Sequence, residues 1–391
     1  MRTGVADPRA SAVAQQATAW RRDLHAHPEL MYELPRTARF VAERLAEIGC
    51  DRVETGIGRT GVVGLISGRR GASDHVLGLR SDMDALPIEE ATGAPYASRT
   101  PGQMHACGHD GHMAMLLAAA KCLAETRDFA GTVALVFQPA EEGGAGARAM
   151  LDDGLVARFG VREIYGMHNL PGLALGEFGI RSGPIMAAAD RVDIRIEGRG
   201  GHAGRPALVI DPVVAASHVV LALQTIVSRN VDPLESGVLS ITQIRAGAAD
   251  NIVDDAAVLS GTVRTLTPQV RDLIERRIGE IAAGVAGGLG ARAATTYRRG
   301  YPVTVNAPEA AGFAAQAAAT VVGAGAVATN HPPLMVAEDF AYFLEELPGA
   351  FIFMGNGDSG GLHSPGYDFD DRAIPNGVSY WLRLVESRLA A

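Results

Sequence analysis

Strand and helix patterns alternate along the first half of the chain, and this alternation limits the fold more than any other feature. Short apolar runs have the length of buried strands, and longer segments with apolar residues every three or four positions have helical spacing. We expect strands at 62–66, 76–79, 132–137 and 164–167, and helices at 37–48 and 113–125. Such an order predicts an α/β fold, in which helices cover both faces of a mainly parallel sheet.

The middle of the chain has a different pattern of apolar and polar residues. Val192, Ile194 and Ile196 alternate with charged residues, which is typical of a half-buried strand. A helix at 211–229, strands at 237–245 and 256–266, a helix at 268–286 and a strand at 292–298 are expected to follow. The order βαββαβ is the ferredoxin-like pattern.

The alternation of helix and strand patterns resumes after Tyr301, with a helix near 308–321 and a strand at 350–354. The smaller pattern is therefore an insertion in a larger domain. We predict a discontinuous catalytic domain made of 1–186 and 300–391, and an inserted domain at 187–299.

Composition excludes several classes of partner. The formal net charge is -9 and no tract rich in lysine or arginine occurs, so we expect neither nucleic acid nor a membrane surface as a partner. Three cysteines are too few for a disulfide framework in 391 residues. The first residues lack the apolar core of a signal peptide, and no apolar stretch is long enough to span a bilayer. We expect a cytoplasmic protein.

Residues 56–61, GIGRTG, match the glycine pattern of dinucleotide-binding proteins. That motif needs a helix directly after the glycines, whose N-terminus holds the pyrophosphate. A strand pattern follows here, so we interpret the segment as a turn between two strands.

The strongest local signal is HACGHDGH at 105–112, directly before the apolar helix. A single cysteine is usually a small buried apolar residue, and a single histidine usually only a hydrogen-bonding residue. Three histidines and a cysteine within eight positions are typical of a metal site instead, because imidazole and thiolate are the ligands that zinc prefers.

Acidic and imidazole side chains follow other predicted strands. Glu141 and Glu142, in QPAEEGG, come after the strand at 132–137, and Asp82 and Asp84 after the strand at 76–79. His168 and His363 follow the strands at 164–167 and 350–354. Carboxyl ends of parallel strands share one edge of a sheet, where α/β proteins bind ligands, so we expect these side chains to meet there.

Five metal donors are then available, which is more than one tetrahedral ion needs if a water position stays open. They would suit two ions that share a bridging water. Glu141 would take the proton of that water and pass it to the departing amine, a hydrolysis without a covalent intermediate. The donors are Cys107, His109, Glu142, His168 and His363.

The chain resembles the amidohydrolase branch of the aminoacylase/carboxypeptidase metallopeptidases, to which hippurate hydrolases and auxin-conjugate hydrolases belong. The resemblance extends from about residue 20 to residue 385. It rests on motifs in a shared order: RRDLHAHPEL, SDMDALPI, HACGHDGH, QPAEEGG, GMHNLPG, GHAGRP, NIVDD, GTVR, MVAEDF and LHSPGYDFDD.

The resemblance implies that the five donors bind two divalent ions, with Cys107 bridging them and Glu141 as general base. A thiolate ligand favours zinc, and manganese, cobalt or nickel can also support such activity. Asp84 matches a carboxylate that orients a ligand. The substrate implied is a small N-acyl amino acid, and the fold implied is a zinc-peptidase-like catalytic domain.

The inserted domain would serve as a lid and as the surface of a homodimer or higher homo-oligomer. Its His202 matches a histidine that stabilises the oxyanion of the tetrahedral intermediate, often in the partner subunit's site. Asn251 and Arg264 match residues that bind the substrate carboxylate. Glu338, in MVAEDF, is grouped with these substrate-binding residues. As alternatives, His202 could be a turn residue and Arg264 an exposed residue of a strand.

Other functions fit parts of the pattern. N-acetyl-diaminopimelate deacetylation or dipeptide hydrolysis would use the same chemistry on the same scaffold. A nucleophilic Cys107 activated by His109 or His112 would leave the other donors without a role. A metal-dependent binding protein without catalysis would not need a base such as Glu141.

Overall fold

The computed structural model describes residues 6–71 and 73–390 and divides them into two compact units. Unit 1 comprises the described residues up to Ile185, Val305–Pro332 and those from Asp339 onwards, and unit 2 comprises Met186–Thr304 and Pro333–Glu338. The segment Pro333–Glu338 was expected in the larger domain. It lies in unit 2 instead, because the backbone N–H of Ala187 donates to the carbonyls of Leu334 and Val336, at 3.1 and 2.8 Å.

The described residues form ten α-helices. In chain order they are α1 (Pro8–Ala26), α2 (Pro35–Ile48), α3 (His109–Thr126), α4 (Gly146–Asp152), α5 (Leu155–Phe159), α6 (Pro212–Arg229), α7 (Pro268–Gly288), α8 (Pro308–Val322), α9 (Ala341–Glu346) and α10 (Ile374–Arg388).

The same residues form sixteen strands. They are β1 (Arg52–Ile57), β2 (Gly61–Ser67), β3 (Val76–Asp82), β4 (Thr132–Gln138), β5 (Glu163–Leu170), β6 (Phe178–Gly179), β7 (Gly183–Met186), β8 (Ala188–Glu197), β9 (Gly201–His202), β10 (Gly237–Arg245), β11 (Ile252–Val253), β12 (Ala256–Thr265), β13 (Arg292–Arg299), β14 (Thr304–Asn306), β15 (Val327–Ala328) and β16 (Gly349–Gly355).

Unit 1 is built on an eight-stranded sheet with the order β1-β2-β4-β3-β5-β16-β6-β15. The four central strands β4, β3, β5 and β16 run parallel to one another, which confirms the predicted α/β class with a mainly parallel sheet. Their carboxyl ends therefore lie at one edge. Asp82 pairs with Gln138 at the ends of β3 and β4, and His168 pairs with Phe353 in β5 and β16.

Helix α3 is the central helix of unit 1. Its side chains are buried without interruption from His109 to Ala120, and it packs on α1, α2 and α10. A helix that is apolar on all sides is stable only inside a core. The helix was expected to begin at 113, but it begins at His109, because Gly108 adopts a left-handed conformation (φ 87°) that ends the preceding loop there.

The glycine-rich segment 56–61 forms the turn between β1 and β2, which pair antiparallel. No helix follows the glycines: β2 begins at Gly61. The interpretation of this segment as a turn is confirmed.

Unit 2 contains a four-stranded antiparallel sheet with the order β10-β12-β8-β13. Its elements follow one another along the chain as β8, α6, β10, β12, α7 and β13, with β9 and β11 forming a small separate pair. A second apolar core includes Ile194 of β8, Leu223 of α6 and Ile278 of α7, all fully buried.

Helix α6 is the one helix of the described residues that is long and apolar enough to cross a membrane by length and composition, with a mean hydropathy of 1.3. It is amphipathic within unit 2, since Val219 and Leu223 are buried while Leu221 is exposed. One such helix is weak evidence for a membrane span, because core helices of globular domains often meet the same criteria.

Candidate metal centre

Five side chains predicted as metal donors converge at the carboxyl edge of the sheet in unit 1. We call Cys107, His109, Glu142, His168 and His363 the ligand cluster. His168 Nε2 lies 3.4 Å from Cys107 Sγ, and Glu142 Oε1 lies 3.2 Å from His363 Nε2 and 3.9 Å from His109 Nε2. Donor atoms of Cys107, Glu142 and His363 all lie within 4.8 Å of one another, which is close enough to hold a metal ion.

The imidazole rings of the cluster are held by their second nitrogens. His109 Nδ1 donates to the carbonyl of Asp84 (2.7 Å), and His168 Nδ1 donates to the carbonyl of Asn169 (2.6 Å). His168 Nε2 is thereby left as an electron-pair donor, and His109 Nε2 becomes one when a metal ion displaces its proton, as in histidines that bind metals. Neither His109 Nε2 nor Glu142 Oε1 has a hydrogen-bond partner of good geometry although both are buried. Buried polar atoms without partners are costly, so this arrangement fits a divalent cation.

The backbone near these residues is strained or restricted. A side chain at Gly108 would place its Cβ 2.3 Å from Asn169 Nδ2 and 2.4 Å from the hydroxyl of Tyr367, so only glycine fits there. Ala140, directly before Glu141, and His363 both adopt left-handed conformations, with φ of 52° and 61°. Such conformations are uncommon for residues with side chains and are often found at functional sites.

Glu141 and Glu142 are held by Asp84. Its carboxylate accepts from the backbone N–H of Glu141 (2.9 Å) and of Glu142 (3.1 Å). The side chain of Glu141 is buried, and its Oε1 accepts from the backbone N–H of Asp339 at 3.3 Å. A carboxylate atom of Glu141 lies within 4.8 Å of donor atoms of His109 and Glu142, so a base stands beside the ligand cluster.

Burial controls the protonation of Cys107 and His168. It raises the pKa of the Cys107 thiol well above its usual value, and the carboxylates of Glu142 and Glu141 raise it further. It lowers the pKa of His168 well below its usual value, which keeps that imidazole neutral and able to donate an electron pair. A metal ion must displace the thiol proton, because the thiolate is the form that binds.

His109 is surrounded by carboxylates. Burial opposes its protonation, but Asp82, Asp84 and Glu142 outweigh burial and raise the pKa of His109 to about 10. When no metal ion is bound, a proton on His109 therefore supplies part of the positive charge that a metal ion would supply. The negative potential at His109 favours a divalent ion, and binding should release this proton as well.

His112 and Asp82 belong to this region, but the bond between them was not predicted. His112 Nδ1 donates to Asp82 Oδ1 (2.8 Å), and His112 Nε2 accepts from the backbone N–H of Asn169 (3.0 Å). Donor atoms of both residues lie within 4.8 Å of His109 and His168. Both nitrogens of His112 are used in these bonds, so the geometry favours a supporting role over metal binding. The spacing of three residues on one helix face could have indicated its position beside His109.

A second buried group of charges lies elsewhere in unit 1. We call Arg21, His25, Glu90, Asp110 and Asp371 the ion-pair cluster. His25 bridges Asp110 Oδ2 (2.8 Å) and Glu90 Oε1 (3.3 Å), and Arg21 lies 2.8 Å from Asp371 and 3.6 Å from Asp110. Burial opposes the charge on His25, but Asp110 and Glu90 raise its pKa to about 9. The cluster ties α1 to the first turn of α3.

Two residues predicted to contact the substrate, the catalytic His202 and the substrate-binding Asn251, lie together in unit 2. His202 of β9 pairs with Ile252 of β11, and the backbone N–H of Ala203 donates to the carbonyl of Asn251 at 3.0 Å. His202 and Asn251 are both exposed, and His202 Nδ1 accepts from the backbone N–H of Gly204 at 2.9 Å. That His202 acts on the reaction stays a prediction.

The two other residues of this group lie in different parts of unit 2. Arg264 of β12 is half-buried, and its guanidinium donates to the carbonyl of Val263 at 3.0 Å. Glu338 is buried, and its carbonyl accepts from the hydroxyl of Thr304 at 3.4 Å. Their roles in substrate binding stay predictions.

Comparisons with known proteins agree on one family. Residues 78–387 match the family described as Peptidase family M20/M25/M40. The hippurate hydrolase of Campylobacter jejuni is 43% identical over 93% of this chain and 94% of its own length. The N-acetyl-L-cysteine deacetylase of Bacillus subtilis is 40% identical over 97% of this chain and 89% of its own length. The crystal structure of a dinuclear metal-binding peptidase of the M20 family from Bacillus subtilis matches with a TM-score of 0.84 and 35% identity, covering 97% of this chain and 99% of that one.

Proposed function

The chain belongs to peptidase family M20/M25/M40 and is a hydrolase, and we propose that it hydrolyses the amide bond of N-acyl amino acids with the help of two divalent metal ions. The observation that carries the proposal is the convergence of the five donors of the ligand cluster beside buried Glu141. The names of two relatives support the substrate class, since hippurate and N-acetylcysteine are both N-acyl amino acids.

The metal ions would be held by the residues of the ligand cluster. When bound, they supply a water of lowered pKa and polarise the carbonyl of the scissile amide. The thiolate favours zinc, and manganese, cobalt or nickel are the other ions to test. The dinuclear centre named for the Bacillus subtilis peptidase supports a count of two.

Glu141 would move the proton during hydrolysis. Its carboxylate takes the proton of the attacking water and delivers it to the amine nitrogen as the carbon–nitrogen bond breaks. Two hydrogen bonds keep Glu141 beside the ligand cluster. The backbone N–H of Asp339 donates to Glu141 Oε1, and the backbone N–H of Glu141 donates to the carboxylate of Asp84. Because this carboxylate is buried beside the ligand cluster, its removal should slow the chemical step strongly.

We also propose that unit 2 is a ferredoxin-like lid and the dimerisation surface. The order of its elements, βαββαβ, and the strand order β10-β12-β8-β13 support the first part. The exposed Ile244 on the edge strand β10 and exposed Leu221 on α6 support the second, because apolar residues on a sheet edge favour pairing with another chain. Sedimentation showing only monomers would contradict dimerisation.

The lid would contribute substrate contacts. We propose that His202 stabilises the oxyanion, that Asn251 and Arg264 bind the substrate carboxylate, and that Glu338 is a further substrate-binding residue. The exposure of His202 and Asn251 on one small strand pair supports a role in contacts that form on substrate binding. We further propose that the enzyme is cytoplasmic and that neither nucleic acid nor a membrane is its partner. The net charge of -9 and the free cysteines support this location and these partners.

A hydrolysis screen tests the function. Purified protein is assayed on N-benzoyl, N-acetyl and N-indolylacetyl amino acids, N-acetyl-diaminopimelate and dipeptides, before and after chelation, with metal content measured. We expect hydrolysis of at least one N-acyl amino acid, its loss on chelation, and its recovery when zinc, manganese, cobalt or nickel is added back. Activity on dipeptides alone would change the substrate class. Metal binding without any hydrolysis would indicate a binding protein instead.

A further inference from the structure

Arg80 is a fully buried arginine at the carboxyl end of β3, below the ligand cluster. Its Nη1 donates to Asp82 Oδ2 at 2.8 Å, its Nε to Gln138 Oε1 at 2.8 Å, and its Nη2 to Asp339 Oδ1 at 3.2 Å. These partners come from the ends of β3 and β4 and from the turn before α9. One guanidinium therefore joins three segments of unit 1, which suits its planar array of donors.

The first partner, Asp82, lies within reach of the metal centre. Asp82 Oδ2, the oxygen bonded to Arg80, is only 3.6 Å from His109 Nε2, the nitrogen that has no hydrogen-bond partner. Donor atoms of Asp82, His109 and His168 lie within 4.8 Å of one another. A carboxylate in this place can become a metal ligand if nothing else holds it.

The second partner, Asp339, is linked to the proposed base. Its carboxylate accepts from Arg80, from the backbone N–H of Ala147 (2.9 Å) and from Gln138 Nε2 (2.7 and 2.9 Å). Its backbone N–H donates to Glu141 Oε1. The position of the Glu141 carboxylate thus depends on Asp339, which is held in part by Arg80.

We propose that Arg80 is a positioning residue that keeps Asp82 out of the metal coordination sphere and holds Glu141 through Asp339. The inference rests on the proposed function. Without Arg80, two buried carboxylates would lose the guanidinium they share. His112 would still hold Asp82 Oδ1, but the freed Asp82 Oδ2 lies 3.6 Å from His109 Nε2, where a metal ion that displaces the His109 proton could take it as a ligand. An added Asp82 oxygen would fill the position that a reactive water needs.

Cobalt(II) reports this change directly, because its visible absorption bands weaken as its coordination number rises. We expect the variant Arg80→Met, loaded with Co²⁺, to bind two ions but to show weaker bands than the wild type. Its kcat should fall about 10- to 100-fold, as is usual when a partner behind a metal site is removed, with a smaller change in KM. The double variant Arg80→Met/Asp82→Asn should regain the band intensity, because the extra carboxylate is gone, but not the full kcat.

Arg388 offers a matched control. It pairs with buried Glu163 at the beginning of β5, at the opposite edge of the sheet. Arg388→Met therefore also removes an arginine from a buried carboxylate, and it should lower stability without altering the cobalt bands. If Arg80→Met does not fold, Arg80→Lys takes its place, since a lysine keeps the charge but cannot reach both carboxylates with a planar fork. For that variant we expect at least a tenfold fall in kcat and partly weakened bands.

Each outcome that contradicts these expectations overturns a different part of the proposals. A folded Arg80 variant, with Met or Lys, whose bands and kcat match the wild type would overturn the inference while leaving the proposed function intact. Weakened bands that persist in the double variant would overturn the part assigned to Asp82. Wild-type protein that binds no Co²⁺, or that cleaves no N-acyl amino acid, would overturn the proposed function itself.

Discussion

The ligand cluster and the ion-pair cluster are both buried, both lie in unit 1, and both combine histidines with carboxylates around the first turn of α3. In the ion-pair cluster each charged group has an opposite charge from the chain itself, as for His25 between Asp110 and Glu90. In the ligand cluster burial opposes the charge on His109, but Asp82, Asp84 and Glu142 raise its pKa to about 10, so His109 holds a proton that a metal ion would displace.

The difference shows how similar residues serve stability in one place and chemistry in another. A buried carboxylate needs a cation, and Arg21 and protonated His25 provide it in the ion-pair cluster. The ligand cluster contains no arginine or lysine, and its protonated His109 loses its proton when a metal ion binds, so a divalent ion from outside the chain can supply the charge instead. Variants in the first cluster should therefore change stability, and variants in the second should change metal binding or catalysis.

The largest effect is expected at Glu141. Glu141→Gln keeps the shape of the side chain but removes the base, so kcat should fall about 10²- to 10⁴-fold. Two metal ions per chain should remain, because Glu141 is not needed as a ligand. Steady-state kinetics and metal analysis check this. Glu142→Gln is the contrasting variant and should lose metal. Full activity of Glu141→Gln would show that another group is the base.

The next effect concerns the ion-pair cluster. His25→Leu removes the cation between Asp110 and Glu90 and should lower the free energy of unfolding by about 3–5 kcal/mol at pH 7. Urea denaturation measures the loss, and the refolded variant should still bind two metal ions. His27→Leu is the matched control, since His27 is partly exposed and should change stability by under about 1 kcal/mol. A loss of metal with unchanged stability would show that the two clusters are not distinct.

A smaller effect is expected at His112, which lies three residues after the proposed ligand His109 in α3 and supports the site without binding metal. His112→Gln removes the bond to Asp82 and the acceptor for the Asn169 N–H, and we expect metal affinity to fall about 10- to 100-fold with both ions still bound. His109→Gln removes a ligand and should leave fewer than two ions. Competition with a chromogenic chelator measures both. If His112→Gln binds only one ion, His112 is itself a ligand.

Much of unit 1 is predictable because its strands are short, continuous apolar runs. The expected strand 132–137 and the observed Thr132–Gln138 differ by one residue, and the expected strand 350–354 lies within Gly349–Gly355. Helix α1 was not predicted, because its segment is rich in alanine and glutamine and has weak amphipathic spacing. Its buried Trp20 and Leu24 become core residues only against α3 and α10.

The ligand cluster was predictable for a related reason. Glu142 follows β4, His168 lies near the end of β5 and His363 follows β16, and parallel strands bring their ends together whatever the loops do. Cys107 and His109 are recognisable from their dense motif at the start of α3. The partners behind the donors were not predictable, because hydrogen bonds such as those of Arg80 and His112 depend on side-chain rotamers. The left-handed conformation of His363 has no sequence signal either, since residues other than glycine rarely adopt it.

The smallest effect is a dependence of stability on pH. The pKa of His25 is about 9 in the folded protein, against an ordinary value of 6.5, so its contribution is complete below about pH 6.5 and is lost as the pH rises through 9. Between pH 6.5 and pH 8 the difference in unfolding free energy between wild type and His25→Leu should shrink by roughly 1–2 kcal/mol. Taking the difference cancels the contribution of bound metal, which both proteins share. A difference that stays constant over this range would mean that His25 is neutral in the fold, and Arg21 would then be the only cation of the ion-pair cluster.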